Sequence, residues 1–395
     1  MKKIIFYSMP AQGHTIPTIP LAKELVKRGN KVFYYSIEEF KTKIEEAGLI
    51  YKSYDRSDYF DPILSKDVSF FAKKVMETTS RQSPILTKKA ELENADCIVH
   101  DTLAFWGKVV GKSLQIPTVS VFTSLAYNNT IARRYPMIYL PEIMKALLGG
   151  SNTLKAYTEY RKICWKYKIP ADLSASYILT REKLNLVLTS SYFQPCADSF
   201  NNSFRFVGPP IYQREQDKLL LQKLDKKKKI IYVSMGTIFN DNLSFFQQCI
   251  DLFENTDYQI IMSLGHRLSE KHLAKIPPNI IVRNYVPQLE ILQNVDLFIT
   301  HAGLNSINES LFYGVPMILI PQMYEQAFNA FRVQELGAGI FLKHNHITSE
   351  KILKSIDKIF STPSYYKNAQ KIKKTLEQAG GYNKAADEIL AYINK

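Results

Sequence analysis

The chain is poor in cysteine. Cys97, Cys164, Cys196 and Cys249 are the four in 395 residues, and they show neither a Cys-x-x-Cys pair nor a Cys/His spacing. That excludes a zinc ribbon or a disulfide framework and suits reduced, packed thiols. No uninterrupted apolar run approaches the roughly 18 to 20 residues that a bilayer-spanning helix requires. The basic-then-apolar start, Lys2 to Ser8, is broken by Pro10, Gln12, Gly13 and His14 before a signal-peptide core forms, so it reads as a first strand and the expected location is cytoplasmic. No Asp-x-Asp element, the usual grip on a divalent metal in sugar-nucleotide enzymes, is present, and no short-period repeat appears. The net charge is +14, yet the lysines are spread out, with one compact run at Lys226 to Lys229 and no basic motif interleaved with aromatics. Nucleic acid is therefore not expected as a partner, and any attraction to an anionic membrane surface is weak and peripheral, without stable insertion.

What the sequence does have is a composition of 46% hydrophobic and 22% charged residues, typical of a globular enzyme, in a chain long enough for two domains. Short runs rich in Ile, Val and Tyr alternate with helical patterns, which implies parallel sheets of the α/β class. In the first half these runs are Lys3 to Tyr7, Lys31 to Ser36, Cys97 to His100, Thr118 to Phe122 and Leu186 to Leu188. In the second half they are Ile230 to Val233, Gln259 to Met262, Ile280 to Arg283, Leu297 to Thr300 and Met317 to Ile320. Gly208, Pro209, Pro210 and the charged stretch up to Lys229 mark a boundary near 210. The expected division is 1–210, 211–380 and a terminal helix, 381–395, packing back on the first domain.

In doubly wound sheets ligands bind beyond the carboxyl ends of strands, so those ends carry the functional reading. The strongest segment is THAGLNSINESLFYGVPMILIPQMYEQAFNA, Thr300 to Ala330. Gly303 allows a tight turn, Asn305 and Ser306 suit a helix start, and unpaired amides there make a phosphate site. His301 could donate to a phosphate oxygen, and Glu309, one helical turn past Ser306, could accept from ribose hydroxyls. Glu325 and Gln326, expected in a loop after the next strand, suit the vicinal hydroxyls of a sugar. An ordinary strand-turn-helix-strand unit with solvated acids would need only the glycine and a cap, whereas here five polar residue types fall on two neighbouring strand ends. Ser234 to Thr237 and Tyr285 to Gln288 end two further strands; Tyr285 could stack on a base or pack in the core.

In the first half, His14 stands at the end of the first strand, before a helix whose positive terminus favours the neutral imidazole a general base requires. Asp101, at the end of Cys97 to His100, could hold the second ring nitrogen. His100 is the weaker competitor. The segments Tyr59 to Met76 and Ile131 to Leu148 could wall an acceptor cleft, with Phe71, Phe105, Trp106, Tyr127 and Met137 as lining or, equally, as core.

HAGLNSINESLFYGVP followed by PQMYEQ resembles the donor signature of a family 1 glycosyltransferase, in the bacterial macrolide-glycosyltransferase-like branch, and SMGT, YVPQ, SSYFQP and FVGPP resemble flanking motifs of that family in their usual order, nearly end to end. The resemblance implies two Rossmann-like domains facing across a cleft (GT-B). It implies that His301 and Ser306 bind a diphosphate with help from Asn305 and Thr237, that Glu309 holds ribose, that Tyr285 and the Val286 backbone hold uracil, and that Glu325 and Gln326 hold the sugar. Gly303 and Gln288 belong to the same donor site. Plant members place Trp where Tyr285 stands, so the stacking surface is smaller here. The GHxxP context of His14 and the DTLAFWG context of Asp101 resemble those of the family's base and its orienting aspartate. The activity implied is inverting transfer of a hexose, glucose above all, from a UDP-sugar co-substrate to a hydroxyl of a small lipophilic acceptor such as a flavonoid, phenolic or macrolide. No metal ligand and no cofactor is expected. A sugar-nucleotide epimerase and a noncatalytic UDP-sugar-binding protein are the alternatives.

Overall fold

The computed structural model describes residues 1–54, 67–136, 144, 150–172, 179–212, 217–236, 242–265, 267–343 and 347–394. It divides into two compact units, 1–210 with 379–395, and 211–378.

The first unit is built on seven parallel strands: β1 (Lys3–Tyr7), β2 (Lys31–Ser36), β3 (Ile50–Ser53), β4 (Cys97–Asp101), β5 (Thr118–Phe122), β6 (Leu184–Val187) and β7 (Phe204–Phe206). Their order is β3-β2-β1-β4-β5-β6-β7. The central strands are continuous runs of Ile, Val, Phe and Tyr because helices cover both faces and leave no wet side to be polar. One face packs on the helix Ile19–Lys27 and on Ala385, Ala386 and Ile389 of the helix Gly381–Ile393. Arg28 ties that last helix down by an ion pair to Asp387, and Arg205 adds one to Glu388 at 3.2 Å. The other face packs on the long helix Val68–Leu92 and on Phe105–Leu114.

The second unit repeats the plan with six parallel strands: β8 (Ile230–Ser234), β9 (Gln259–Ser263), β10 (Ile280–Arg283), β11 (Leu297–Thr300), β12 (Met317–Leu319) and β13 (Gly339–Phe341), in the order β10-β9-β8-β11-β12-β13. Both units are thus Rossmann-like.

The strands that the apolar runs do not reveal are β3, β7 and β13, and each is a sheet edge. An edge strand has one neighbour and can be short and half-polar, so Ile50-Tyr-Lys-Ser and Phe204-Arg-Phe give no continuous apolar signal. Among the described residues, no helix is long and apolar enough to cross a membrane.

Candidate active site

In each sheet the chain runs outward in one direction and then returns to the centre to run the other way, and the crevice at that reversal is where such folds hold ligands. In the first unit the reversal lies between β1 and β4, in the second between β8 and β11. The polar strand-end residues fall at these two places.

At the first, His14 sits in the one-turn helix Gln12–Thr15 after β1, and Asp101 is the last residue of β4. His14 Nδ1 lies 2.8 Å from Asp101 Oδ2. The aspartate side chain is 1% exposed and the histidine 22%, so the carboxylate is sequestered while the imidazole reaches the surface. The other carboxylate oxygen accepts from Leu103 N at 2.8 Å. A third group completes the cluster: Thr123, just past β5, has Oγ1 2.8 Å from His14 Nδ1 and 3.3 Å from Asp101 Oδ2.

The hydroxyl carries one proton, and its direction decides the imidazole tautomer. Donation to Nδ1 would set an unprotonated ring nitrogen lone pair against a carboxylate 2.8 Å away. Donation to Asp101 Oδ2 instead leaves Nδ1–H shared between two oxygens with no lone pairs opposed. Nδ1 therefore carries the proton, and Nε2 is the ring nitrogen with a lone pair to accept another. Beneath the cluster, Ser8 and Thr15 hydroxyls meet at 2.8 Å, and Thr18 bonds back to Thr15 O at 3.0 Å. These bonds hold a helix too short to stand alone.

His100, the neighbouring histidine, is fully enclosed. Its Nδ1 lies 3.0 Å from Asp101 O and its Nε2 3.4 Å from Glu182 Oε1. Burial works to raise the Glu182 carboxyl, but His100, Lys108 and the Thr118 hydroxyl outweigh it and bring its pKa down to about 2. With both nitrogens occupied inside the fold, His100 is a structural residue.

At the second reversal, His301 follows β11 beside the end of β8, where Thr300 pairs with Ser234. Two glycines make room for its ring: a Cβ on Gly236 would lie 2.5 Å from His301 Cε1, and one on Gly303 would lie 2.6 Å from Nε2. The turn itself is made elsewhere than expected. Gly303 has an ordinary extended conformation (φ −63°, ψ 139°) as the helix N-cap, and it is Ala302 that adopts the left-handed one, φ 67°. That costs a non-glycine residue on the order of 1 kcal/mol. The buried Asn329 side chain braces it by donating to Ala302 O at 3.2 Å. Gly303 is needed for clearance, and the strain is carried by its neighbour.

The helix Leu304–Phe312 begins there with no side-chain cap on its N-cap residue, so its first-turn amides and dipole face outward toward any anion placed there. Asn305 and Ser306 lie in that first turn. Gln288 ties the next layer together: its amide donates to Glu309 Oε2 at 2.6 Å and to Ser306 Oγ at 3.4 Å, while its carbonyl accepts from Tyr232 OH at 3.2 Å. Val286 is buried, whereas the Tyr285 ring is 61% exposed and open to stacking. Glu325 and Gln326 lie in the first turn of the helix Tyr324–Glu335 and not in a loop. Gln326 Oε1 accepts from Gln322 N and Met323 N, at 2.8 and 3.1 Å, so this amide also caps its own helix.

Burial pushes the His301 imidazole down from 6.5 to about 4. A histidine held neutral by folding stabilises the protein fully above the unfolded pKa, and the contribution is lost as pH falls toward the folded one. Between pH 6.5 and 4 the wild-type protein is expected to lose stability, on the order of 2–3 kcal/mol from this group, that His301→Asn does not lose. Urea unfolding of both proteins across that range checks it; parallel curves would refute it.

Three comparisons with known proteins bear on this geometry. A family model described as the C-terminal domain of erythromycin biosynthesis protein CIII-like proteins matches residues 247–380. The chain is 32% identical over 401 residues to the NDP-glycosyltransferase YjiC of Bacillus subtilis (strain 168), covering 100% of this chain and 99% of that protein. The chain belongs to glycosyltransferase family 1, in its macrolide-glycosyltransferase-like branch. It is also 32% identical, over 409 residues, to an uncharacterized UDP-glucosyltransferase, YojK, of the same organism, with 100% and 98% covered. Among solved structures, the glycotransferase of kitacinnamycin superposes with a TM-score of 0.86 at 24% identity, over 99% of both chains. That likeness makes the fold of this glycosyltransferase the GT-B type.

The structure brings His14 together with Asp101, and Gln288 with Ser306 and Glu309, and gathers Gly303, Asn305 and His301 at one strand end. Thr237 and Met137 lie outside the described residues. Phe105 and Trp106 are buried core residues: Phe105 packs edge-on against Tyr160, and Trp106 Nε1 donates to Tyr54 OH at 3.2 Å. Phe71 packs against the same core, and Tyr127 offers its backbone carbonyl to Arg181 at 2.8 Å. Thr123 and Asn329 are the residues that sequence reasoning missed. A lone threonine after a strand carries no pattern, but the pairing of Asp101 with Val121 in adjacent strands sets Thr123 beside Asp101 once the strand order is known.

Among the described residues, no group of three or more His, Cys, Asp or Glu side chains is placed to hold a metal ion.

Proposed function

We propose that this glycosyltransferase moves a hexose, glucose before others, from a UDP-sugar to a hydroxyl of a small lipophilic acceptor, with inversion and without a metal. The observation that carries the reading is the buried Asp101 carboxylate 2.8 Å from the Nδ1 of a partly exposed His14. In this scheme the acceptor O–H gives its proton to Nε2 as the oxygen bonds to the anomeric carbon. The bond from that carbon to the diphosphate breaks with its electron pair, and UDP leaves. Asp101 stabilises the imidazolium so formed without itself taking the proton.

Charge building on the departing diphosphate calls for preorganised donors. The His301 ring, neutral above about pH 4, and the uncapped start of Leu304–Phe312 can supply them, with Glu309 on the ribose and Tyr285 against the base. Glu325, exposed at a helix start, and Gln326 are assigned to the sugar hydroxyls. The uridine nucleotide is favoured by the name of the UDP-glucosyltransferase YojK, and a natural-product acceptor by the erythromycin biosynthesis family model.

The test is incubation with UDP-glucose and a mixed panel of phenols and macrolides, read by mass spectrometry for the gain of one hexose. Absence of any such product, with donor bound, would return the chain to a noncatalytic binding role. Transfer should be unchanged by excess chelator, and loss of activity on chelation, restored by a divalent ion, would refute the metal-free scheme. Thr123→Val, nearly isosteric, is expected to lower kcat about 10-fold, the scale of one lost hydrogen bond in the base assembly, with KM for the donor unchanged and most activity regained in Thr123→Ser. Equal impairment of both variants would assign Thr123 to packing alone.

A further inference from the structure

The helix Ser151–Lys166 turns Ala156, Tyr160, Ile163 and Cys164 into the first unit. Its opposite face contains two exposed large apolar residues: Trp165 is 85% exposed and Leu154 68%. At about 100° per residue, Leu154, Arg161 and Trp165 fall within about 40° of one another around the helix, and Lys155, Lys162 and Lys166 fill the next sector. The one acid near this arc, Glu159, stands at its edge and is engaged by Ser80 Oγ at 2.5 Å and Lys162 at 3.5 Å.

We propose that this face docks on an anionic lipid surface, with Trp165 and Leu154 entering the headgroup boundary and the four cations meeting lipid phosphates. An indole is suited to that boundary, apolar in its body and with one N–H for the wet side. The cations beside it give the sign of the partner, and the chain's net charge of +14 adds long-range attraction to the same surface. A second copy of the chain fits poorly, because a two-fold contact through this face would set the cations against their own copies. Single-stranded nucleic acid fits poorly as well, because a stacking platform needs successive aromatics and this face has one. The proposal does not depend on the donor or acceptor chemistry.

The protein contains two tryptophans, and the other, Trp106, is buried, so a change in emission on binding reports Trp165. The experiment titrates the full chain with vesicles of phosphatidylcholine containing about a third phosphatidylglycerol, and with phosphatidylcholine alone, at low salt. A blue shift and co-sedimentation are expected with the anionic vesicles. Binding should be weaker by about an order of magnitude or more with neutral vesicles or for Lys162→Gln/Lys166→Gln, and lost for Leu154→Ser/Trp165→Ser. These exposed substitutions should leave the melting temperature unchanged.

No shift with anionic vesicles overturns the proposal. So does vesicle binding that survives all four substitutions, since it would then use another surface. A shift produced by a single-stranded oligonucleotide or by protein concentration alone, and not by vesicles, would assign the face to nucleic acid or to self-association instead.

Discussion

Replacing His14 by Ala is expected to lower kcat by about 10²- to 10⁴-fold, the usual range for loss of a general base, while the dissociation constant for UDP stays within about twofold. The first half of that expectation follows from the tautomer. Asp101 Oδ2 and Thr123 Oγ1 each lie 2.8 Å from Nδ1, and the arrangement that makes Nδ1 the accepting nitrogen sets its lone pair against the carboxylate. Loss of the ring removes Nε2, and no other group of the cluster is neutral, basic and near the surface. His100 cannot substitute, because its nitrogens are committed to Asp101 O and Glu182. The second half follows from the chain: the residues assigned to the nucleotide belong to the other unit, 211–378. Calorimetric titration with UDP, beside single-turnover transfer, separates the two. A variant that transferred at the wild-type rate would remove the base assignment altogether.

The next largest effect is expected at a residue with no functional group. Gly303→Ala should weaken UDP binding by about two orders of magnitude, close to 3 kcal/mol. A Cβ there would lie 2.6 Å from His301 Nε2, so either the imidazole swings away or the helix start is displaced, and both remove donors from the diphosphate. Gly236→Ala should do the same from the other side of the ring, through a contact of 2.5 Å and a left-handed φ of 79°. Nucleotide binding within threefold of wild type in both variants would mean that the His301 position does not matter to the donor.

The parts of this molecule that were readable in the sequence are those where one physical requirement acts alone. A strand covered on both faces must be apolar throughout, so the central strands of each sheet stood out, while β3, β7 and β13, at the edges, did not. Polar residues clustered at strand ends were readable because an α/β fold has no structural need for them there. What stayed hidden depended on pairing between distant segments. Thr123 acquires its significance only from β5 lying beside β4. The usual preference for glycine points to Gly303 for the tight turn, but the fold gives the left-handed residue to Ala302, where a buried Asn329 carried by a later helix holds it. Phe105 and Trp106 show the same limit: an aromatic pair beside the aspartate assigned to the base reads equally well as lining or as core, and the difference is decided by Tyr54 and Tyr160, far away in the chain.

The helix Gly381–Ile393 has a bearing on biogenesis. It fills the apolar face that Leu21, Leu25 and the strands of the first sheet leave open, yet it follows the whole of 211–378 in the order of synthesis. While the ribosome is still translating that interval, the amino-terminal sheet is complete in strands but missing part of one covering layer, which the helix Ile19–Lys27 alone does not fill. The nascent chain therefore presents a greasy groove, and chaperone attention or transient sticking should concentrate there until residues near 390 emerge.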